Sequence, residues 1–272
     1  MAQYCAVAPL QILSAMARRD VLPRSQLLLA HDIVKPEHKD GYRLLFDGKY
    51  FLEQNKTNYG LYPYSRELVI LDNSVVELGK PVEFDMIREA TSIVKPDCIV
   101  LPDAYLDTDQ TIANCQEAIG PWNQGLKEFY DYRGVPFMYL PQGKTKADFL
   151  RAAEAFATHP QIAWWGVPRN IVEYHGSRRW AIEMLHAMNP KRQIHMFGFS
   201  DDLVDDAICA QIPYVRSIDS AVPMRCAYNR LVFNLSVKMP PRGDWWEKGE
   251  YSVNMGVDYD RAVSLFNGYG YR

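Results

Sequence analysis

The sequence predicts a single α/β domain folded as a (β/α)8 barrel of the TIM type, and three observations lead there. Short runs rich in β-branched, aromatic and leucine residues alternate with longer stretches of helical period, as in repeated βα units. Eight such runs can be counted. Several of them end on a polar residue or a glycine, at Asp72, Asp103, Gln142, Gly166, Gly198 and Asp219. In a closed parallel barrel the carboxyl ends of all strands meet on one face, so these remote positions become neighbours.

In order, the expected strands are Gln3 to Ala8, Leu27 to Asp32, Glu67 to Asp72, Asp97 to Pro102, Pro136 to Pro141, Ile162 to Val167, Arg192 to Gly198 and Pro213 to Asp219. The expected helices are Leu10 to Arg19, Glu83 to Val94, Thr108 to Tyr132, Lys146 to Thr158, Ser177 to Met188, Asp201 to Ala210 and Arg225 to Val237. Leu150, Ala153 and Ala157 fall on one helical face, while Asp148, Arg151 and Glu154 can face water. Ser200 before Asp201 and Asp202 reads as an N-cap, and Lys80-Pro81 with Asp85 as another helix start.

Residues 35–66, rich in Tyr, Lys, Gly and Asn, are too long for a simple connection and read as an insertion near the site, partly helical around Tyr42 to Phe46. The barrel is expected over residues 1–239. Residues 240–272 form a C-terminal extension packed on or near it, with a late helical stretch around Asp260 to Phe266.

The 272 residues are 48% hydrophobic and 23% charged, enough for one domain with a substantial core. A formal net charge of −3 supplies no global attraction for nucleic acid, so any such binding needs a local basic patch. The five cysteines, Cys5, Cys98, Cys115, Cys209 and Cys226, are scattered without a C-x-x-C pair or a Cys/His cluster at zinc spacing, and read as reduced core residues. No run approaches 18 apolar residues and no leader pattern opens the chain, so no membrane partner is expected. The expected location is cytoplasmic, or the host cytoplasm for a phage-encoded chain.

Gly143-Lys144-Thr145 resembles the end of a phosphate loop, but Met138 stands where its first glycine belongs, so the amide cradle is not encoded. The six histidines are dispersed and read as packed or surface residues. Taken singly, Asp72 and Asp103 suit loop caps as well as chemistry. Gln142 is a less usual cap and a better reader of a polar ligand edge.

Taken together, Asp72-Asn73-Ser74, Pro102-Asp103, Gln142-Gly143, Trp165-Gly166-Val167, Met196-Phe197-Gly198 and Asp219-(x)3-Pro223-x-Arg225 resemble the ordered motifs of the guanine transglycosylases, which insert 7-deazaguanine bases into nucleic acid. The resemblance covers roughly residues 60–230. It implies Asp219 as nucleophile and Asp72 as a second catalytic carboxyl for proton transfer. It further implies Asp103 and Gln142 as base readers, completed by the backbone around Gly166 and Val167. Phe197 and Gly198 would lie beneath the base plane, and Arg225 would contact a phosphate or Asp219.

Two departures matter. The tRNA-acting members carry a Cys/His zinc site after the barrel, whereas here the segment beyond Asp219 holds only Cys226 and no histidine. No metal or other cofactor is therefore expected. With its modest length, the chain is more similar to the compact phage and bacterial branch that modifies DNA. After Asp72, Asn73-Ser74-Val75-Val76 replaces a glycine-rich, aromatic-ended version, so the stacking partner on that side is not encoded locally.

The implied function is replacement of guanine in DNA by a 7-deazaguanine derivative through a covalent aspartyl intermediate, with DNA and the free 7-deazaguanine base as partners. The same chemistry on tRNA, a non-catalytic transglycosylase-like subunit and an unrelated barrel glycosidase are the alternatives. Arg216, Arg225, Arg230, Lys238, Arg242 and Lys248, with Trp245-Trp246, read either as a strand-binding track or as a solvated face with aromatic packing.

Overall fold

The computed structural model describes residues 2–18, 22–46, 67–120, 134–234, 246 and 253–268, with side chains described for 257–265 of the last stretch. Eight parallel strands close into a barrel in sequence order. They are β1 (Gln3–Ala6), β2 (Ser25–Leu29), β3 (Leu68–Asp72), β4 (Cys98–Val100), β5 (Phe137–Tyr139), β6 (Ile162–Val167), β7 (Gln193–Met196) and β8 (Val215–Ser220). Closure is made by β1 on β8, where Cys5 faces Asp219 in register.

The helices are α1 (Leu10–Ala17), α2 (Ala30–Ile33), α3 (Lys39–Phe46), α4 (Val75–Leu78), α5 (Phe84–Val94), α6 (Thr108–Ile119), α7 (Lys146–Ala155), α8 (Ile171–His175), α9 (Arg179–Met188), α10 (Leu203–Cys209), α11 (Val222–Tyr228) and α12 (Val253–Gly268). Some of these starts are capped by side chains. Asp107 accepts from Gln110 N at α6 and Thr145 from Asp148 N at α7, each satisfying an amide that the first turn leaves without a partner.

Strand alternation sorts the core into two shells. One apolar cluster mixes helix residues such as Leu13, Ile87 and Ile182 with Val69, Leu71, Ile99, Tyr139, Trp165, Val167 and Ile218, and lies between strands and helices. The other contains strand positions with no helix residue, Leu27, Leu29, Leu68, Ile70, Cys98, Val100, Met138 and Trp164 among them, and fills the barrel. The parity is reset twice. One extra residue, Ala163, interrupts the β5–β6 register, and another, Arg216, the β7–β8 register. Each bulge turns the downstream residues over. Thus Ile162 and Val215 face the helices, whereas Trp164, Gly166, Ser217 and Asp219 fall on the inner side.

Several expected boundaries are corrected. Strand β2 stops at Leu29, and Asp32 lies in α2 rather than closing the strand, because its buried carboxylate is bonded by Lys35 and Tyr42 from the following residues. Asp202, not Ser200, caps α10, accepting from Val204 N and Asp205 N. Helix α11 begins at Val222 rather than Arg225, with Pro223 in its first turn, where a missing N–H costs nothing, and it ends at Tyr228. The expected helix Thr108 to Tyr132 is shorter, ending at Ile119 because Gly120 turns to an extended conformation, and residues 121–132 lie outside the described residues. The insertion is described through α3, and residues 47–66 lie outside the described residues.

In the C-terminal extension, α12 starts earlier than expected and packs on α11. Tyr259 and Ala262 are buried there, with the Tyr259 ring 6.0 Å from that of Tyr4. All five cysteines are buried and unpaired. Among the described residues no helix is long and apolar enough to cross a membrane.

Candidate active site

The carboxyl ends of β3 to β8 bring the expected residues to one mouth. Asp72 closes β3 on the same parity as Leu68 and Ile70, so it points into the barrel. Its Oδ2 accepts from Ser74 N at 2.8 Å, a bond made possible by the left-handed conformation of Ser74 (φ 62°). Asp103 and Gln142, one residue or more past β4 and β5, are bonded to each other: Gln142 Nε2 donates to Asp103 Oδ2 at 2.6 Å. Asn73 Nδ2 donates to Asp103 Oδ1 at 2.9 Å and to Leu101 O at 2.7 Å, tying the β3 and β4 loops together.

On the other side, Asp219 Oδ1 accepts from Gly198 N at 3.1 Å and pairs with His195 Nε2 at 3.0 Å. A carboxylate oxygen only accepts, so Nε2 carries a proton, and Nδ1 is hydrogen-bonded to Ser217 Oγ, 2.8 Å away. No described residue donates to Asp219 Oδ2. One carboxylate oxygen is thus anchored from two directions while the other is left open. Beside it Phe197 stands edge-on to His195, with ring centres 4.6 Å apart and planes at 88°. Gly166 lies under that ring so closely that a Cβ there would fall 2.7 Å from Phe197 Cε2.

Electrostatics separates the carboxyls. Burial pushes Asp72 well above the usual carboxylate range, and the charges of Glu77, Asp103 and Asp219 push it further, against the Ser74 hydrogen bond. Asp72 therefore holds a proton where an exposed aspartate would not. Asp103 is also raised by burial, with the Asn73 and Gln142 bonds opposing. That Asp219 acts on Asp72 at all places the two within electrostatic reach across the mouth.

Val167 and Arg225 stand further from the carboxylates in their contacts. The Val167 side chain belongs to the outer shell, and its carbonyl accepts from Phe197 N at 2.9 Å as part of the sheet. Arg225 is half-buried on α11, while the bonds on Asp219 come from His195 and Gly198. Of the basic run, Arg216 is exposed on β8 and Arg230 is exposed after α11. Lys238, Arg242, Lys248 and Trp245 lie outside the described residues. Trp246 packs half-buried against the barrel-filling cluster together with Phe197 and Ala221, and its carbonyl accepts from Gln11 at the start of α1.

His195 is the functional candidate that the sequence reading passed over as an ordinary packed histidine. It is fully buried, and its signal was parity: it shares the inner face of β7 with Phe197. Asn73 was likewise read as part of a motif rather than as the tether of Asp103. Among the described residues no three of His, Cys, Asp or Glu gather into a group that could hold a metal ion.

Comparison with known proteins returned no matching family model and no matching curated protein.

Proposed function

We propose that this chain is a base-exchange glycosyltransferase that replaces guanine in DNA by a 7-deazaguanine derivative through a covalent aspartyl intermediate. The observation that carries the reading is the pair of unlike carboxyls at one barrel mouth. Asp219 is fixed through Oδ1 with Oδ2 open, and burial raises the Asp72 carboxyl well above the usual range, favouring its protonated form.

In the first displacement Asp219 Oδ2 attacks C1′ and the C1′–N9 electron pair leaves with guanine. The proton on Asp72 passes to the departing base. The transition state has oxocarbenium character, which the nearby negative charge of Asp219 stabilises before the bond is complete. In the second displacement the incoming base gives its N9 proton to Asp72, and N9 displaces Asp219 from C1′. Two inversions retain the β configuration. A deazaguanine has carbon in place of N7, so protonation there cannot assist its departure and exchange runs mainly one way.

Asp103 has acceptor capacity left for the N1–H and amino group of guanine, and Gln142 has a second amide N–H for O6. Adenine would leave both unpaired in a buried site, which is the expensive mistake. Asp103 and Gln142 are 1% and 3% exposed, so a base reaches them by way of the less buried Phe197 and Gly198. In a duplex the base must first be flipped, at a cost of a few kcal/mol. DNA is favoured over tRNA because the Cys/His zinc site of tRNA-acting relatives has no counterpart after Asp219.

The test is incubation of pure protein with labelled 7-deazaguanine and either DNA or tRNA, followed by trapping of a protein–strand adduct. Wild type should incorporate label into DNA, and Asp219→Asn should form no adduct. Full incorporation by Asp219→Asn would end the reading, and label entering only tRNA would reassign the polymer.

A further inference from the structure

The sharpest unassigned feature is a buried ion pair behind the β7 turn. Arg178 and Asp206 are both fully inaccessible, with Arg178 Nε 3.2 Å from Asp206 Oδ1. Burying such a pair gains little or nothing over an apolar pair of similar volume, so its presence asks for a reason. Joining α9 to α10 does not require it, because Ser177 Oγ already donates to Asp205 Oδ1 at 2.7 Å and Arg178 N to Asp205 Oδ2 at 3.2 Å. Moreover, the Nε to Oδ1 contact lacks hydrogen-bond geometry, and Arg178 Nη1 also finds no hydrogen-bond partner among the described residues, a poor arrangement for a purely stabilising pair.

What the pair does hold is the main chain between Gly198 and Ser200. Arg178 Nη2 donates to Gly198 O at 2.6 Å, and Asp206 Oδ2 accepts from Ser200 N at 2.7 Å. The turn is thereby gripped at both ends. Gly198 has φ 58°, a conformation that suits glycine, and in it the N–H of the same residue reaches Asp219 Oδ1 at 3.1 Å. A continuous path therefore runs from Asp206 through Arg178 and Gly198 to the carboxylate at the mouth. The Arg178 charge is also close enough to interact with that of Asp219.

We propose that Arg178, braced by Asp206, is a positioning residue for Asp219: by fixing the Gly198 main chain it aims the Gly198 N–H at Oδ1 and so keeps Oδ2 directed at the reaction centre. The inference rests on the reading of Asp219 as nucleophile. Neither Arg178 nor Asp206 touches substrate, so free-base binding, which meets Gly198 only at the floor of the site, should change far less than the covalent step.

The experiment uses the full chain with Arg178→Met and Asp206→Leu combined, which replaces the pair by apolar side chains and leaves no lone buried charge. Three quantities are read: the melting temperature, equilibrium binding of free 7-deazaguanine, and the single-turnover rate of adduct formation with DNA. The expected result is a folded protein that binds the base within about twofold of wild type but forms adduct roughly tenfold to a hundredfold more slowly, less than the roughly hundredfold to thousandfold cost of deleting an aligned donor because the Gly198 N–H is loosened rather than removed. KM for the base should stay put while kcat falls. A folded double variant with an adduct rate within about threefold of wild type would overturn the proposal, since the loss of one aligned donor would then be absent.

If the double variant does not fold, Arg178→Met combined with Asp206→Asn decides. It leaves no lone buried charge, keeps an acceptor for Ser200 N and removes the donor to Gly198 O, so adduct formation should slow with base binding little changed, and a wild-type rate refutes the relay. Failure of wild type to form adduct with any polymer sinks the base-exchange reading itself. A wild-type adduct with unaffected variants sinks only the relay.

Discussion

Gly166→Ala tests the floor of the proposed base site with a single methyl group. An added Cβ would lie 2.7 Å from Phe197 Cε2, 2.8 Å from Leu140 Cδ1 and 3.3 Å from Leu140 Cβ. Carbon atoms rest at about 3.5–4.0 Å, so the two neighbours must yield by roughly 0.7–1 Å or more. Leu140 is 6% exposed and hemmed in, whereas Phe197 has an open side toward the mouth. The ring therefore moves, breaking its edge-on contact with His195 and intruding where a base would lie. Overpacking of this kind costs about 1–3 kcal/mol. At about 2–4 °C per kcal/mol for a domain of this size, the melting temperature should fall by roughly 2–12 °C. Thermal unfolding by circular dichroism and titration with free 7-deazaguanine read the two effects, and base binding should weaken by more than the stability loss alone explains. A variant with unchanged melting and unchanged base affinity would refute the placement of Gly166 under Phe197.

Other perturbations probe the remaining parts. Burial, then Glu77, raises Asp72 in the folded state, so folding takes up a proton and the stability linked to this group declines as pH rises from the unfolded carboxylate range through the folded value. Asp72→Asn should consequently be more stable than wild type at neutral pH, with the gap closing below about pH 4; parallel stability profiles would contradict the burial argument. His195→Leu removes the ring partner of Ser217 and leaves Asp219 Oδ1 with one donor fewer, which should cost about 1–3 kcal/mol by denaturant unfolding and slow adduct formation. His195→Gln, which can keep a donor for Asp219, should recover part of the adduct rate. Asp107→Ala removes the α6 cap and should cost about 1 kcal/mol by thermal unfolding while leaving 7-deazaguanine binding intact.

Much of the architecture was legible because it follows from local pattern. All eight strands were foreseeable from apolar runs, and β6 ends at Val167 as the run does. Where the reading slipped, a side-chain partner a few residues further on was responsible. Leu27 to Asp32 looks like an unbroken strand, yet Asp32 is drawn into α2 by Lys35 and Tyr42. Ser200 and Asp202 offer equivalent capping chemistry on paper. Asp202 caps α10, while the Ser200 amide is taken by Asp206 Oδ2.

By itself the sequence determined that strands and helices alternate eightfold and that polar groups stand at the strand ends, because periodicity and strand termini are properties of neighbouring residues. Which way those groups point was decided only by the folded barrel. The extra residues Ala163 and Arg216 make sense only against the registers of adjacent strands, and they put Gly166 and Asp219 on the inner side. Likewise the buried chain from Ser217 through His195 to Asp219, and the grip of Arg178 on Gly198, join residues of different βα units. Hydrogen bonds between units depend on barrel closure, which no local pattern in the chain encodes.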